Sequence, residues 1–118
     1  NIGAAPADRL SALAFSHLDR LAERARRLVS TNLDLARAFF ARHPELELTV
    51  PLEATITFPR VAGMAATDKF VARLFAEQGV AVAAGSFFGA PAHIRISLSG
   101  RTETLVAGLE GIERVLAR

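Results

Sequence analysis

Cysteine is absent from the 118 residues, and lysine occurs once, at Lys69. Without cysteine there is no disulfide framework, no thiolate nucleophile and no cysteine-ligated zinc, a usage that fits a reducing compartment and makes the cytoplasm the default location. No uninterrupted apolar run approaches the about 18 residues that a membrane span needs. The start, Asn1-Ile-Gly-Ala-Ala-Pro6, lacks a basic region followed by an apolar stretch, as a secretory leader would have. The three histidines, His17, His43 and His93, share no metal-ligand spacing, and Ser86 and Ser97 have no paired base nearby in the pattern.

What is present describes an ordinary globular domain. Half of the residues are hydrophobic (51%) and 22% are charged, which suits one folded unit spanning 1–118. The isoelectric point near 10.4 looks strongly basic. Yet the formal charge is only +2, and the high value arises because 13 of the 14 basic residues are arginine. These arginines are dispersed from Arg9 to Arg118 with acids among them, not gathered in the stripe that a phosphate backbone requires, so neither nucleic acid nor membrane is expected as a partner.

Periodicity divides the chain into helix, strands, helix, strands, helix. Pro6, Asp8 and Arg9 open a helical stretch, and its apolar stripe runs through Leu18, Leu21, Ala25, Leu28, Leu35, Phe39 and Phe40. Glu23 and Arg27 can pair on its polar face. Ser30-Thr31-Asn32 could cap a second helix within this stretch, and Pro44 ends it. Leu46, Leu48 and Val50 then alternate with polar residues, and Thr55 to Phe58 continue the β pattern up to Pro59. Thr67-Asp68 caps a helix carrying Phe70, Val71, Leu74 and Phe75, which Gly79 stops. Val80 to Val82 reads as a brief strand, Gly85 to Pro91 as a loop, and His93 to Leu98 as an alternating strand. The final helix carries Leu105, Val106, Leu109, Ile112, Val115 and Leu116. The expected fold is α+β: a small, largely antiparallel sheet of three or four strands, covered on one face by helices that include a long N-terminal one.

Arg95 is the leading candidate for chemistry. Alternation places Ile94, Ile96 and Leu98 on the helix-covered face and His93, Arg95 and Ser97 on the other. From the pattern alone Arg95 is either an ordinary exposed strand arginine or a guanidinium that grips a carboxylate through two parallel hydrogen bonds. Lys69, in the first turn of a helix beside Arg73 and Glu77, reads as solvated.

The run from Gly79 to Ser97, G-V-A-V-A-A-G-S-F-F-G-A-P-A-H-I-R-I-S, resembles a late segment of the class I and II aminotransferases of the fold-type I pyridoxal-phosphate group. Members carry a G-V-x-V-x-x-G strand and turn, a loop of small and aromatic residues, and an R-[IL]-[SG] strand. The long helix ending in His43-Pro44-Glu45-Leu46, the Thr55 to Phe58 strand and Asp68-Lys69-Phe70 match in order, so the likeness covers nearly the whole chain. It implies a C-terminal small domain whose Arg95 binds the substrate α-carboxylate, with Ser86, Phe87 and Phe88 beside the active-site mouth and Gly85 and Gly89 shaping that loop, Ser86 to Gly89 counting with Arg95 as substrate-binding. It also implies a homodimeric parent enzyme that moves an amino group between an amino acid and a 2-oxo acid. In that family the Schiff-base lysine, the pyridine-binding aspartate and the phosphate site belong to a large cofactor domain. No match for them occurs here, so this chain alone should bind no pyridoxal 5'-phosphate and be inactive. One departure is Ala54, where relatives often place glycine in the Pro51-to-Thr55 connection. Two other readings stand beside this one: a free-standing, non-enzymatic domain for small-ligand binding or dimerisation, and another pyridoxal-phosphate reaction on the same fold.

Overall fold

The computed structural model describes residues 4–48 and 55–117. The first element, α1 (Ala4–Arg42), is a single helix of 39 residues. Alanine, leucine and arginine dominate it, all strong helix formers, and Pro6 lies in the first turn, where its missing N–H is harmless. The helix runs unbroken through Ser30-Thr31-Asn32, so no second helix starts there. The side chain of Asn32 is instead fully buried, donating from Nδ2 to the carbonyls of Leu98 (2.7 Å) and Gly100 (2.8 Å) and accepting from Thr102 Oγ1 (2.8 Å). With its amide engaged elsewhere, it cannot compete for the local backbone. His43 precedes Pro44 and is thereby biased away from helix, which fixes the end of α1.

Among the described residues five short strands follow, in two antiparallel sheets. β1 (Leu46–Glu47) pairs with β3 (Arg60–Val61), with Leu46 opposite Val61. β5 (Ile94–Ser97) lies between β2 (Ile56–Thr57) and β4 (Ala83–Ala84). A single bridge between Arg60 and His93 joins the two sheets. Pairing of the fourth strand begins at Ala83, later than Val80 to Val82, and β3 adds a strand that alternation does not signal. The Pro51-to-Ala54 connection, with its alanine in place of glycine, and Val50 lie outside the described residues.

Helix α2 (Asp68–Gln78) buries Phe70 and Leu74 and closes on Gly79, whose φ of 66° supplies the left-handed turn. Phe75, assigned to the same stripe by periodicity, is exposed. Helix α3 (Thr102–Leu116) buries Leu105, Leu109, Ile112 and Val115. Phe39, Leu46, Leu74, Ile94, Leu98 and Ile112 form the centre of the core, each contributing about 1.5–3 kcal/mol by leaving water. Because Ile94 and Ile96 face this core, Arg95 and Ser97 face the other way. The helices therefore cover one face of the sheet, and the arginine stands on the open one.

Candidate functional site

Arg95 sits at the middle of the three-stranded sheet, with Ala83 of β4 as its cross-strand neighbour. The small residues Ala81 and Ala83 on one side, with Thr55 and Ile56 on the other, leave a shallow depression of about 570 Å³, floored by Arg95 and Ser97. The Arg95 guanidinium carbon lies 5.2 Å from the centre of the Phe88 ring. Phe88 meets Phe58 edge-on at 5.9 Å, and Phe58 stacks on His93 at 5.0 Å with 19° between the rings. A ring over a guanidinium uses its face and leaves the in-plane N–H groups free, the groups that a carboxylate would take in pairs. Among the described residues Arg95 has no carboxylate partner.

The loop that carries Phe88 is held tightly. A Cβ on Gly85 would fall 1.9 Å from the Ala90 carbonyl oxygen and 2.6 Å from that of His93, so only hydrogen fits. The Gly85 N–H donates to the His93 carbonyl (2.8 Å), and the Ala90 N–H donates back to the Gly85 carbonyl (2.9 Å). Residues Gly85–Phe88 form a 3₁₀ turn that Gly89 ends at φ 73°. Ser86 Oγ donates to Asp68 Oδ2 at the start of α2 (2.9 Å). Thr67 contributes no side-chain cap to that helix; its hydroxyl donates to the His93 carbonyl (2.8 Å), while its N–H donates to the Pro91 carbonyl (2.8 Å).

Of the residues expected at the site, the structure brings Arg95 and Phe88 into contact. Ser86 is turned to Asp68, Gly89 supplies the turn, and Phe87 is 82% exposed. Phe58, Asp68 and Thr67 are the supports that sequence reading missed. The signal for Phe58 was present, an aromatic ending the strand just before Pro59, but its pairing with Phe88 spans 30 residues of chain. His93 Nδ1 is buried without a hydrogen-bond partner.

The model of the family described as aminotransferase class I and II matches residues 5–112. An aspartate aminotransferase of Geobacillus stearothermophilus is 29% identical over an alignment of 109 residues that covers 87% of this chain and 28% of that protein. Among solved structures, a PLP-dependent aminotransferase from Streptococcus suis 89-1591 superposes with a TM-score of 0.82 at 26% identity, covering 90% of this chain and 28% of that one. A PLP-dependent cyclase superposes at 0.77 with 28% identity, covering 88% and 29%. The chain thus spans little more than a quarter of these relatives' length. Its own residues do not fit the cofactor: the one lysine, Lys69, is exposed in the first turn of α2 and does not line the depression around Arg95. No group of histidine, aspartate or glutamate among the described residues could hold a metal ion, and no described helix is long and apolar enough to cross a membrane.

Proposed function

Since this chain belongs to the class I and II aminotransferase family, we propose that it is the small domain of a pyridoxal-phosphate-dependent aminotransferase and supplies the arginine that holds the substrate α-carboxylate. The observation that carries this reading is Arg95 itself: a strand-borne guanidinium on the open sheet face, steadied by Phe88, with no carboxylate of its own among the described residues. Two parallel N–H···O bonds to one carboxylate remove its rotation, so the adjacent carbon presents a single orientation to whatever acts on it. Phe88 fixes the arginine, Gly85 and Gly89 fix Phe88, and Ser86 ties that loop to α2. Pyridoxal phosphate supplies the carbonyl chemistry of amino-group transfer. The lysine that would bind it, and the surroundings that would choose the side chain of the amino acid, come from polypeptide outside these 118 residues. The chain alone is therefore inactive.

The test is a kinetic split. In an aminotransferase carrying this chain, Arg95→Ala is expected to raise KM for the amino acid and the 2-oxo acid about 100-fold, with the cofactor's visible absorbance unchanged. Unaltered kinetics would remove Arg95 from the site. The likeness to a PLP-dependent cyclase favours one further reading, a different pyridoxal-phosphate reaction that uses the same carboxylate grip. A panel of amino acids assayed for 2-oxo acid release separates the two. A free-standing ligand-binding domain would instead saturate when the 118-residue chain is titrated with amino acids by calorimetry, whereas half of a site binds them only feebly.

A further inference from the structure

His43 follows the last residue of α1 and lies outside the residues that line the Arg95 depression. Its side chain is 16% exposed and rests on Phe39, ring centres 4.5 Å apart. Both ring nitrogens meet carboxylates: Nδ1 is 3.0 Å from Glu45 Oε1, and Nε2 is 2.8 Å from Glu113 Oε2 on α3. An ionised carboxylate only accepts, so each nitrogen must carry a proton for both contacts to be hydrogen bonds. Only the imidazolium does so. A neutral ring would set a nitrogen lone pair against one of the two carboxylates. The other charges nearby do not replace it: Arg42 lies over the ring of Phe39 at 6.0 Å, Glu110 is within 4.0 Å of Arg114, and Glu47 is paired with Arg60.

We propose that His43 is a proton-operated latch that joins the end of α1 to the C-terminal half of α3. Protonated, it links Glu113 to Glu45; deprotonated, it can donate to only one of them, so the three-membered tie between the end of α1, Glu45 and α3 is broken. Burial of the ring works against its charge, but the hydrogen bonds it donates to Glu113 and Glu45 and the negative charges of those carboxylates outweigh it and raise the imidazole pKa above its ordinary value. The Glu45 carboxyl is held below the usual carboxylate range, by its own backbone N–H first and then by His43. A raised folded-state value means that the contribution of His43 is complete below the unfolded histidine pKa and is lost as pH rises through the folded one. A lowered value for Glu45 means that its share is lost only as pH falls through that lower value. The latch is closed on the acid side of the raised His43 pKa and opens as pH rises through it.

The experiment is a proton NMR titration of the His43 ring in the 118-residue chain and in Glu113→Gln, with thermal melts of both and of His43→Gln across about pH 6 to 9. Glu113 is half-exposed, so its neutral isostere leaves the fold undisturbed. Glu45→Gln, read the same way, is the second variant. The expected results are a His43 midpoint at least about 0.5 pH unit higher in the parent chain than in either carboxamide variant, and a fall in Tm with rising pH that is about 2–4 °C larger than in His43→Gln. Equal midpoints, or melts whose pH slopes coincide in all the proteins, would overturn the latch.

Discussion

Asn32 places three hydrogen bonds on one side chain in the interior, reaching two backbone carbonyls just before α3 and the hydroxyl in its first turn. Removing the amide by Asn32→Ala leaves those three groups short of a partner where water does not replace it. A loss of about 2–4 kcal/mol is expected, seen as a fall in Tm of about 10 °C or more. Thr102→Val, which removes only one of the three bonds, should lose less than half of that. Gly85 is constrained differently, since its missing Cβ would have to occupy the space of two backbone carbonyl oxygens, neither of which can swing away as a flexible side chain does. Gly85→Ala is expected to destabilise by about 3 kcal/mol or more in urea melts. Because the same turn places Phe88, the substitution should also move that ring off Arg95.

Two glycines on α3 separate helix propensity from packing. Alanine in a helix interior is favoured over glycine by about 1 kcal/mol. At Gly108 a new Cβ would lie 3.6 Å from Val80 Cγ1, an ordinary contact, so Gly108→Ala should stabilise by about 0.5–1 kcal/mol. At Gly111 the new Cβ would lie 2.8 Å from Val80 Cγ2 and 3.1 Å from Gln78 Cβ, at the junction that ends α2. Relieving that overlap takes a rotamer change at the β-branched Val80 or a small movement of Gln78, whose Cβ is fixed to the backbone. Gly111→Ala should therefore destabilise by about 1–2 kcal/mol, and opposite movements of the two urea midpoints would check the pair together. Elements such as α3 and β5 were legible in the sequence because their apolar residues recur at the period of a single element, which places Arg95 on the open face from alternation alone. The alternation also marks β1 and β2, but not β3, which exists only through pairing with Leu46 and Glu47, 13 to 15 residues earlier in the chain, nor the start of β4 at Ala83. Asn32 and Thr67 have the local pattern of caps, whereas the partners of their side chains, Leu98, Gly100, Thr102 and His93, are remote in sequence. The contact of Phe88 with Arg95 was equally hidden, because no spacing rule relates a loop aromatic to a strand seven residues on.

At the scale of the molecule, α1 is out of proportion to the body it joins. At about 1.5 Å per residue, its 39 residues run about 58 Å, most of the 69 Å long axis of a body only 27 Å across. Among its described side chains the buried ones, Asn32, Ala36, Phe39 and Phe40, all lie toward the C-terminal end, whereas Leu13 and Phe15 are each 68% exposed and Leu18 and Leu21 are exposed as well. The stretch from Phe15 to Arg27 therefore relies on its own backbone bonds and on surface pairs such as Glu23 with Arg27, 2.6 Å apart, which add only a few tenths of a kcal/mol. A helix without tertiary cover is marginal in water and opens locally, at far lower free energy than global unfolding. Amide hydrogen exchange in dilute solution should accordingly divide α1, with Leu18 to Arg27 exchanging about 100-fold or more faster than Leu33 to Phe40. Uniform protection along α1 would mean that something covers the exposed leucines in solution. A dependence of that protection on protein concentration would then identify the cover as a second copy of the chain.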